Sequence, residues 1–329
     1  MMKEGDTPAP PQRRRLGATI PLYGVPLAAH REVIRTLVDL GYDDVWAGEA
    51  NNLDAITPLA AAAAWAPELG IGTSVVPAST RGPALLAMTA AALAELAPGR
   101  TSFGVGSSSA VVVSDWNATV FDRPLARVRD TLRFMRDAFT GSSVTKAYDT
   151  FEVTNFRLGR PVESPPDLLV GALRPGMLEM AALEADGAIT TAVAASDIPM
   201  IRRHLKGSSR LVAWVSVCPS TEGERVRQAA RSTLASYLCV PTYQGLHRWL
   251  GREHLLAPMW DAWSQGRYRE ATAALPDSVI DELVVHGPPE ACREGIARYF
   301  DAGVTDITIS LDPMLVDPLE ALRELAPQG

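Results

Sequence analysis

The sequence predicts an α/β fold, an eight-stranded parallel barrel of the (β/α)8 or TIM type, because short apolar runs alternate with helical segments along the 329 residues. The clearest stretch is Leu69–Arg136, where the strand candidates Ile71–Val76 and Thr101–Val105 are separated by an Ala/Leu-rich helix and followed by another helix. This spacing is typical of a parallel sheet with helical crossovers. The strands end in small residues, which leaves room for a ligand at their carboxyl ends.

Eight strand candidates follow one another along the chain. They are Leu16–Ile20, Asp44–Ala47, Ile71–Val76, Thr101–Val105, Asp167–Val170, Gly187–Thr191, Leu211–Val217 and Asp306–Leu311. Turn residues bound the helices between them: Gly41 ends the first helix, and Pro83 begins the third. A doubly wound open sheet is the alternative fold, and it is disfavoured because the Gly-rich turn follows the fourth strand and not the first.

The length beyond a typical barrel of about 250 residues lies mainly between strands seven and eight, in Thr221–Gly287. We predict a helical insertion there. Its helices either pack on one another and on the barrel, or also form a lid over the site; both interpretations stay open. Residues 1–15, rich in proline and ending in Arg13-Arg14-Arg15, are predicted to be a disordered tail, and residues 16–329 a single domain.

Composition excludes several classes of function. The net charge is −7 and no basic patch is interleaved with aromatic residues, so nucleic acid is not expected as a partner. No apolar stretch approaches the roughly 20 residues of a membrane span, and none forms a signal peptide. Cys218, Cys239 and Cys292 lack CxxC spacing and are interpreted as buried free thiols of a cytoplasmic protein. The histidines show no metal spacing, and we predict no metal.

Candidate site residues cluster after the strands. Gly106-Ser107-Ser108-Ser109 offers amides and hydroxyls to a phosphate, and Gly171-Ala172-Leu173-Arg174 adds a helix start and a cation. Glu49 follows the second strand and is either a proton donor or acceptor, or a salt-bridged structural carboxylate. Tyr23, Asn51 and Asn52 are candidates for substrate binding, although the asparagines also suit capping. No GxSxG elbow is present, which disfavours a serine hydrolase.

Several longer segments carry a resemblance to a known family. They include VWAGEANNLDAITPLA, FGVGSSS, SDWNATVFDRPLARVRDTLRFMR, VGALRPGMLEMAALEADGAI and VVHGPPEACREGIARYFDAGVTDITI. In combination they resemble the bacterial luciferase-like monooxygenase superfamily. The WN…F-x-RPLARVR string is similar to its branch of coenzyme F420 (deazaflavin)-dependent oxidoreductases. The resemblance extends from Leu16 to Leu311.

The resemblance implies a (β/α)8 barrel, usually a homodimer, with a flavin-type ring at the carboxyl ends of the strands. It also implies a non-prolyl cis peptide near the end of strand three, here at Ser74 and Val75. The cofactor-binding residues expected on this basis and from the strand ends are Ser74, Val75, Gly104, Gly106, Ser107, Ser108, Ser109, Gly171, Ala172, Leu173 and Arg174. Many relatives have Asp-His after strand two, where this chain has Glu49-Ala50, and some have Glu where it has Ser107. Glu49 is therefore the remaining catalytic candidate.

We therefore expect an enzyme that transfers a hydride between coenzyme F420 and a small organic substrate. Two alternatives remain: an FMN-dependent monooxygenase on the same fold, and a barrel that has lost its cofactor and acts as a binding or accessory protein. The open serine loop separates the last alternative from the first two, because a protein without a cofactor has no need of a phosphate site.

Overall fold

The computed structural model describes residues 13–205, 209–311 and 315–327. Its strands are β1 (Arg15–Thr19), β2 (Asp44–Ala47), β3 (Gly70–Pro77), β4 (Thr101–Gly106), β5 (Val144–Ala147), β6 (Glu152–Phe156), β7 (Asp167–Gly171), β8 (Gly187–Thr191), β9 (Arg210–Pro219), β10 (Val284–Gly287) and β11 (Asp306–Leu311). Eight of them, all but β5, β6 and β10, pair in parallel and close into a barrel where β8 meets β9. The predicted fold is confirmed, and all eight predicted strands are barrel strands.

Helices connect the barrel strands. They are α1 (His30–Asp39), α2 (Ile56–Trp65), α3 (Pro83–Leu96), α4 (Pro124–Phe139), α5 (Pro175–Glu184), α6 (Ile198–Arg202), α7 (Gly223–Leu238), α8 (Pro241–Trp249), α9 (Glu253–Ser264), α10 (Tyr268–Ala274), α11 (Asp277–Leu283), α12 (Pro289–Asp301) and α13 (Pro318–Glu324). Proline occupies the first turn of several, including α3, α4 and α5, where the missing N–H costs no intrahelical bond. Among the helices of the described residues, none combines the length and apolar character needed to cross a bilayer.

The amino-terminal boundary differs from the prediction. Strand β1 begins at Arg15, so the domain start set at residue 16 falls inside the strand. Arg13 also pairs with Asp43 at 2.7 Å, and Arg14 with Asp301 at 2.9 Å. The tail was predicted from its proline-rich composition, which does not reveal that these arginines meet acidic partners far along the chain. Residues 1–12 of the predicted tail lie outside the described residues.

The predicted insertion is present as α7 to α11 followed by β10. Apolar side chains from its helices form a second buried core, separate from the main one, with Leu238, Met259 and Trp260 among its larger members. Strand β10 pairs with Ser216–Pro219, the upper part of β9, beyond the Arg210–Trp214 segment that pairs with β8. The interpretation of helices packing on one another and on the barrel is therefore confirmed.

The interior of the barrel is layered from one end to the other. Five of the barrel strands begin with a charged residue, and these residues form an ionic network at the amino-terminal end of the barrel, here called the lower end. Above it, Trp46, Leu169, Ile189 and Val212 from four different strands form an apolar middle layer. The carboxyl end, here called the mouth, begins where Val75 packs on that layer.

Candidate active site

Val75 forms a shelf at the mouth because three positions that face it are glycines. A Cβ at Gly106 would lie 2.4 Å from Val75 Cγ2, and one at Gly171 would lie 3.3 Å from Cγ1. At Gly104 a Cβ would approach Val75 Cγ1 to 3.2 Å and the Thr73 carbonyl to 2.2 Å. Val75 with these three glycines is called the Val75 shelf below. The Ser74–Val75 peptide bond is cis, as the resemblance implied.

Glu49 lies at the edge of this shelf, in the loop after β2. Its backbone N–H donates to the Val75 carbonyl at 3.1 Å. Its carboxylate accepts a hydrogen bond from Arg81 at 2.6 Å and one from the Ala55 amide at 3.3 Å. The structure thus shows Glu49 in an ion pair, which agrees with the structural interpretation and leaves the catalytic one untested.

Arg81 is a site residue that sequence reasoning missed. It lies four residues beyond β3, and its side chain is 24% exposed, against 14% for that of Glu49. Its Nε is buried without a hydrogen-bond partner among the described residues. A lone arginine in a loop of small residues (PASTRGP) carries no motif, so no sequence pattern pointed to it.

Ser107, Ser108 and Ser109, called the serine loop, follow β4 directly and are half-buried. Ser108 has a φ of 60°, in the left-handed region, where the chain turns away from the strand. The serine hydroxyls make only long internal bonds: Ser107 Oγ donates to the Ser108 carbonyl at 3.4 Å, and Ser109 Oγ accepts from the Val112 amide at 3.4 Å. These hydroxyls are available to a ligand.

Arg174 lies at the start of α5, beside the end of β7, and is exposed. It forms no ion pair with any residue in the described part of the chain. Its guanidinium passes so close to Gly245 of α8 that a Cβ there would lie 2.6 Å from it. The insertion therefore reaches the mouth at Arg174, and glycine at position 245 makes this contact possible.

The structure corrects part of the expected Gly171–Arg174 segment. The Ala172 amide donates to the Ile189 carbonyl at 2.8 Å, and its side chain is fully buried in the core. Leu173 is half-buried and packs against the same core. Ala172 is therefore used by the β7–β8 pairing and has no amide to offer a phosphate. The sequence alone does not give the register of these two strands, so it could not show that the Ala172 amide is already bonded.

The opposite side of the mouth carries residues that the sequence analysis did not single out. Thr19 and Thr308 join hydroxyls at 3.0 Å across β1 and β11. Trp214 of β9 reaches so far across the barrel that a Cβ at Gly48 would lie 3.3 Å from its ring. Trp214 could have been found from the alternation of inward-facing and outward-facing residues along a barrel strand, since it is two residues from the inward-facing Val212.

The three predicted substrate-binding residues lie in the loops after β1 and β2. Tyr23 is 70% exposed, and Asn51 and Asn52 are exposed. Asp54 caps the start of α2 through the Ile56 and Thr57 amides, each at 2.9 Å. Although burial opposes its charge, these bonds hold the pKa of Asp54 below its ordinary value. Capping of α2 thus belongs to Asp54 and not to the asparagines.

A buried ion pair ties the insertion to the barrel. Arg252 contacts Asp197, in the loop after β8, at 2.9 Å, and Glu282 at 2.8 Å. Burial opposes the charge of Arg252, but these carboxylates raise its pKa above the ordinary value. Nearby, burial and the charge of Arg252 lower the pKa of His247 to about 4. Neither ring nitrogen of His247 has a partner among the described residues.

The family model of the luciferase-like monooxygenases matches residues 10–306 of this sequence. The chain therefore belongs to the luciferase-like monooxygenase family. The prediction of the family is confirmed, and with it the prediction that the protein is an oxidoreductase enzyme.

Relatives and solved structures agree with the family. A protein of Mycobacterium tuberculosis, provisionally named a coenzyme F420-dependent oxidoreductase, is 26% identical over 95% of this chain and 98% of its own length. The structure of the coenzyme F420-dependent tetrahydromethanopterin reductase from Methanopyrus kandleri superposes with a TM-score of 0.78 at 17% identity, covering 95% of this chain and 97% of the other. An F420-dependent secondary alcohol dehydrogenase, solved with an F420–acetone adduct, gives a TM-score of 0.76 at 17% identity, covering 95% and 98%. At these identities the two structures show the fold.

Proposed function

We propose that the protein is an oxidoreductase that transfers a hydride between coenzyme F420 and a small organic substrate. The observation that carries the proposal is the Val75 shelf, bordered by the serine loop on one side and by Arg174 on the other, at the carboxyl ends of the barrel strands. Family membership and the F420-dependent relatives support the choice of cofactor.

The residues at the mouth fit a flavin-type cofactor with a phosphate-bearing tail. The shelf is flat because Gly104, Gly106 and Gly171 carry no side chains. The serine loop supplies hydroxyl donors without fixed partners, and Arg174 supplies a cation without a carboxylate partner in the described chain. Ser74 Oγ is buried without a hydrogen-bond partner among the described residues, beside the shelf. When bound, the reduced deazaflavin would supply the hydride.

Binding measurements test the cofactor. We expect micromolar or tighter binding of F420 and weaker binding of FMN, followed by the fluorescence of the seven tryptophans, one of which is Trp214 at the mouth. The variant S107A/S109A is expected to lose at least about tenfold in F420 affinity, since even one hydrogen bond to a charged group contributes about 1.5–3 kcal/mol. Ser142→Ala, at an exposed position far from the mouth, is the control.

Each other outcome selects a different function. A preference for FMN over F420 would move the protein to the monooxygenases for which its family is named. Binding of neither would favour a barrel that acts as a binding or accessory protein.

Glu49 is proposed to exchange the proton that accompanies hydride transfer. Glu49 adjoins the Val75 shelf, since its amide donates to the Val75 carbonyl at 3.1 Å, and its carboxylate is held in place by Arg81. Glu49→Gln keeps the shape of the side chain and removes its proton chemistry. Turnover of F420-dependent substrate conversion is expected to fall by roughly 10²–10⁴-fold with F420 affinity retained. Unchanged turnover would assign Glu49 a structural role alone.

A homodimer is also proposed, on the apolar face of α3. Leu85, Met88 and Leu96 are 46%, 51% and 47% exposed and follow a helical spacing along one face. Contiguous exposed apolar surface of this kind marks association sites, and a second copy of the chain is the expected occupant. Light scattering is expected to give a dimer mass at micromolar concentration and a monomer for Met88→Glu. A monomeric wild type would refute the dimer.

The cytoplasm is the proposed location. Cys218, Cys239 and Cys292 are buried, and Cys239 and Cys292 are in no disulfide, which is expected in a reducing compartment.

A further inference from the structure

Arg81 and Glu49 form an ion pair where two loops of the mouth meet. The Arg81 guanidinium lies 2.6 Å from Glu49 Oε1, and both side chains are largely buried, at 24% and 14% exposed. The same oxygen accepts the Ala55 amide at 3.3 Å. One carboxylate oxygen thus receives two hydrogen bonds, from Arg81 and from the Ala55 amide, which together fix the position of the carboxylate.

This pair joins the loop after β2 to the loop after β3. The main chain joins the same corner, since the Glu49 amide donates to the Val75 carbonyl at 3.1 Å. Glu49 is therefore held to Val75 by its backbone and to Arg81 by its side chain. Any change in the side-chain contact is transmitted to the residue that adjoins the shelf.

The charges around this corner make Arg81 hard to replace. Asp54, on the same loop as Glu49, lies within electrostatic range of Arg81. Removal of Arg81 would leave the Glu49 carboxylate largely buried without its cation, with a second carboxylate nearby. A buried charge that loses its partner is strongly unfavourable, so the carboxylate would move toward water and leave the shelf.

We infer that Arg81 is a positioning residue for Glu49: its ion pair holds the carboxylate at the edge of the Val75 shelf. The inference rests on the proposed function, because the position matters for proton exchange beside a bound cofactor. The shelf itself, the serine loop and Arg174 do not depend on Arg81. Loss of Arg81 is therefore expected to act directly on the loop after β2, and on cofactor binding only through that loop.

Hydrogen exchange of the cofactor-free, full-length protein tests the positioning directly. The amides of Glu49 and Ala55 are bonded to Val75 and to Glu49 itself. In Arg81→Met we expect peptides spanning residues 48–56 to exchange roughly tenfold faster than in wild type. Arg81→Lys, which keeps a cation, is expected to recover much of the protection. The control is Arg35→Met, which removes the exposed Arg35–Glu68 pair at 3.5 Å.

F420 binding gives the second readout. We expect Arg81→Met to weaken F420 binding by about tenfold, because the Glu49 carboxylate then lacks its cation. In the double variant E49Q/R81M no carboxylate is left unpaired there, so its affinity is expected to return close to that of Glu49→Gln; this recovery is the sign that the two residues act as a unit. Unchanged exchange at residues 48–56 in Arg81→Met would overturn the inference, whether or not F420 binds. Faster exchange with unchanged F420 affinity would reduce Arg81 to a purely structural tie. If wild type fails to bind F420 while the exchange result holds, the proposed function fails and the positioning stands.

Discussion

The two ends of the barrel use charge in opposite ways. At the lower end, Arg15, Asp44, Asp167, Arg210 and Asp306 are the first residues of five strands, and each is paired with another of the set. At the mouth, Arg174 is without an ion pair in the described chain, and the serine loop makes only long internal bonds. The difference indicates that the lower end satisfies its own polar groups, whereas the mouth, apart from the Arg81–Glu49 pair, leaves several of its polar groups open.

Such a difference between the two ends is expected in (β/α)8 barrels. Residues at the amino-terminal end of the strands serve stability, and those at the carboxyl end serve function. The packing differs between the two levels in the same way. The glycines around Val75 leave space at the mouth, whereas Trp46 fills the layer beneath. Substitutions of matched type at the two ends should therefore separate effects on stability from effects on binding.

The largest effect is expected for Arg210→Met at the lower end. Arg210 contacts Asp306 at 2.5 Å, Asp167 at 2.6 Å and Ser102 at 2.9 Å. Its loss leaves Asp306, which is 2% exposed, with a hydrogen bond from the Thr305 hydroxyl at 2.6 Å and a distant cation, Arg15, at 3.7 Å. We expect a loss of about 3–5 kcal/mol in the free energy of unfolding, measured by urea denaturation.

If Arg210→Met yields no folded protein, Asp167→Asn gives the same test in milder form. Asp167 is 53% exposed, so Asp167→Asn is expected to lower the free energy of unfolding by much less than Arg210→Met does. Equal stability of Arg210→Met and wild type would show that the lower end is not a stabilising network.

The second effect concerns a polar group that lacks a partner, as Arg174 lacks an ion pair, but that is buried where no ligand can reach it. It therefore tests what an unpartnered group costs when it does not serve binding. His247 is fully buried on α8, and its pKa is lowered from 6.5 to about 4. As the pH falls through 6.5, the unfolded chain takes up a proton that the folded chain does not, so stability decreases. The decrease continues to pH 4 and amounts to about 3 kcal/mol. Below that pH the contribution is constant.

Unfolding of His247→Leu across pH 4–7 measures this contribution by difference from wild type. The variant is expected to lose less stability on acidification, and to match or exceed wild type at pH 7 because a buried polar ring without partners is removed. Exposed His254→Gln serves as the control. Parallel pH curves for wild type and His247→Leu would contradict the prediction.

The third prediction concerns the shelf. A Cβ at Gly106 would lie 2.4 Å from Val75 Cγ2, so Gly106→Ala must displace the stiff valine side chain. We expect a loss of about 1–3 kcal/mol in stability from overpacking, with weaker F420 binding. The double variant G106A/V75A is expected to regain stability, since the displaced methyl groups are gone, but not the affinity. Full recovery of affinity would show that the cofactor does not use Val75.

The barrel was predictable because its strands are nearly continuous apolar runs bounded by turns. Leu211–Val217, for example, lies within the observed β9. Strand β10 was missed because its four residues, VVHG, are indistinguishable from the end of a helix until the upper part of β9 is seen beside them. The start of β1 was missed because an arginine in a basic run does not resemble a strand residue.

The site was predictable where a strand end defined it and not where distant loops met. Gly106 and the serine loop follow β4, and position alone placed them at the mouth. Arg81 and Trp214 were not found because their roles arise from contacts with Glu49 and Gly48, which lie in the loop after β2 and far from both in sequence. For Ala172 the sequence could not show that its amide is already bonded to the Ile189 carbonyl, because this follows only from the β7–β8 pairing.

The smallest effect is expected for Arg174→Met, which is the mouth's counterpart of Arg210→Met. Because Arg174 has no ion pair to lose in the described chain and is exposed, stability should change by less than about 0.5 kcal/mol. F420 affinity should fall by roughly fivefold, the equivalent of about 1 kcal/mol for an exposed charge. The salt dependence of F420 binding should weaken in the variant, because exposed charges are screened. A large loss in the free energy of unfolding with unchanged F420 affinity would show that Arg174 serves stability, as the lower-end residues do. The contrast between the two ends would then be wrong.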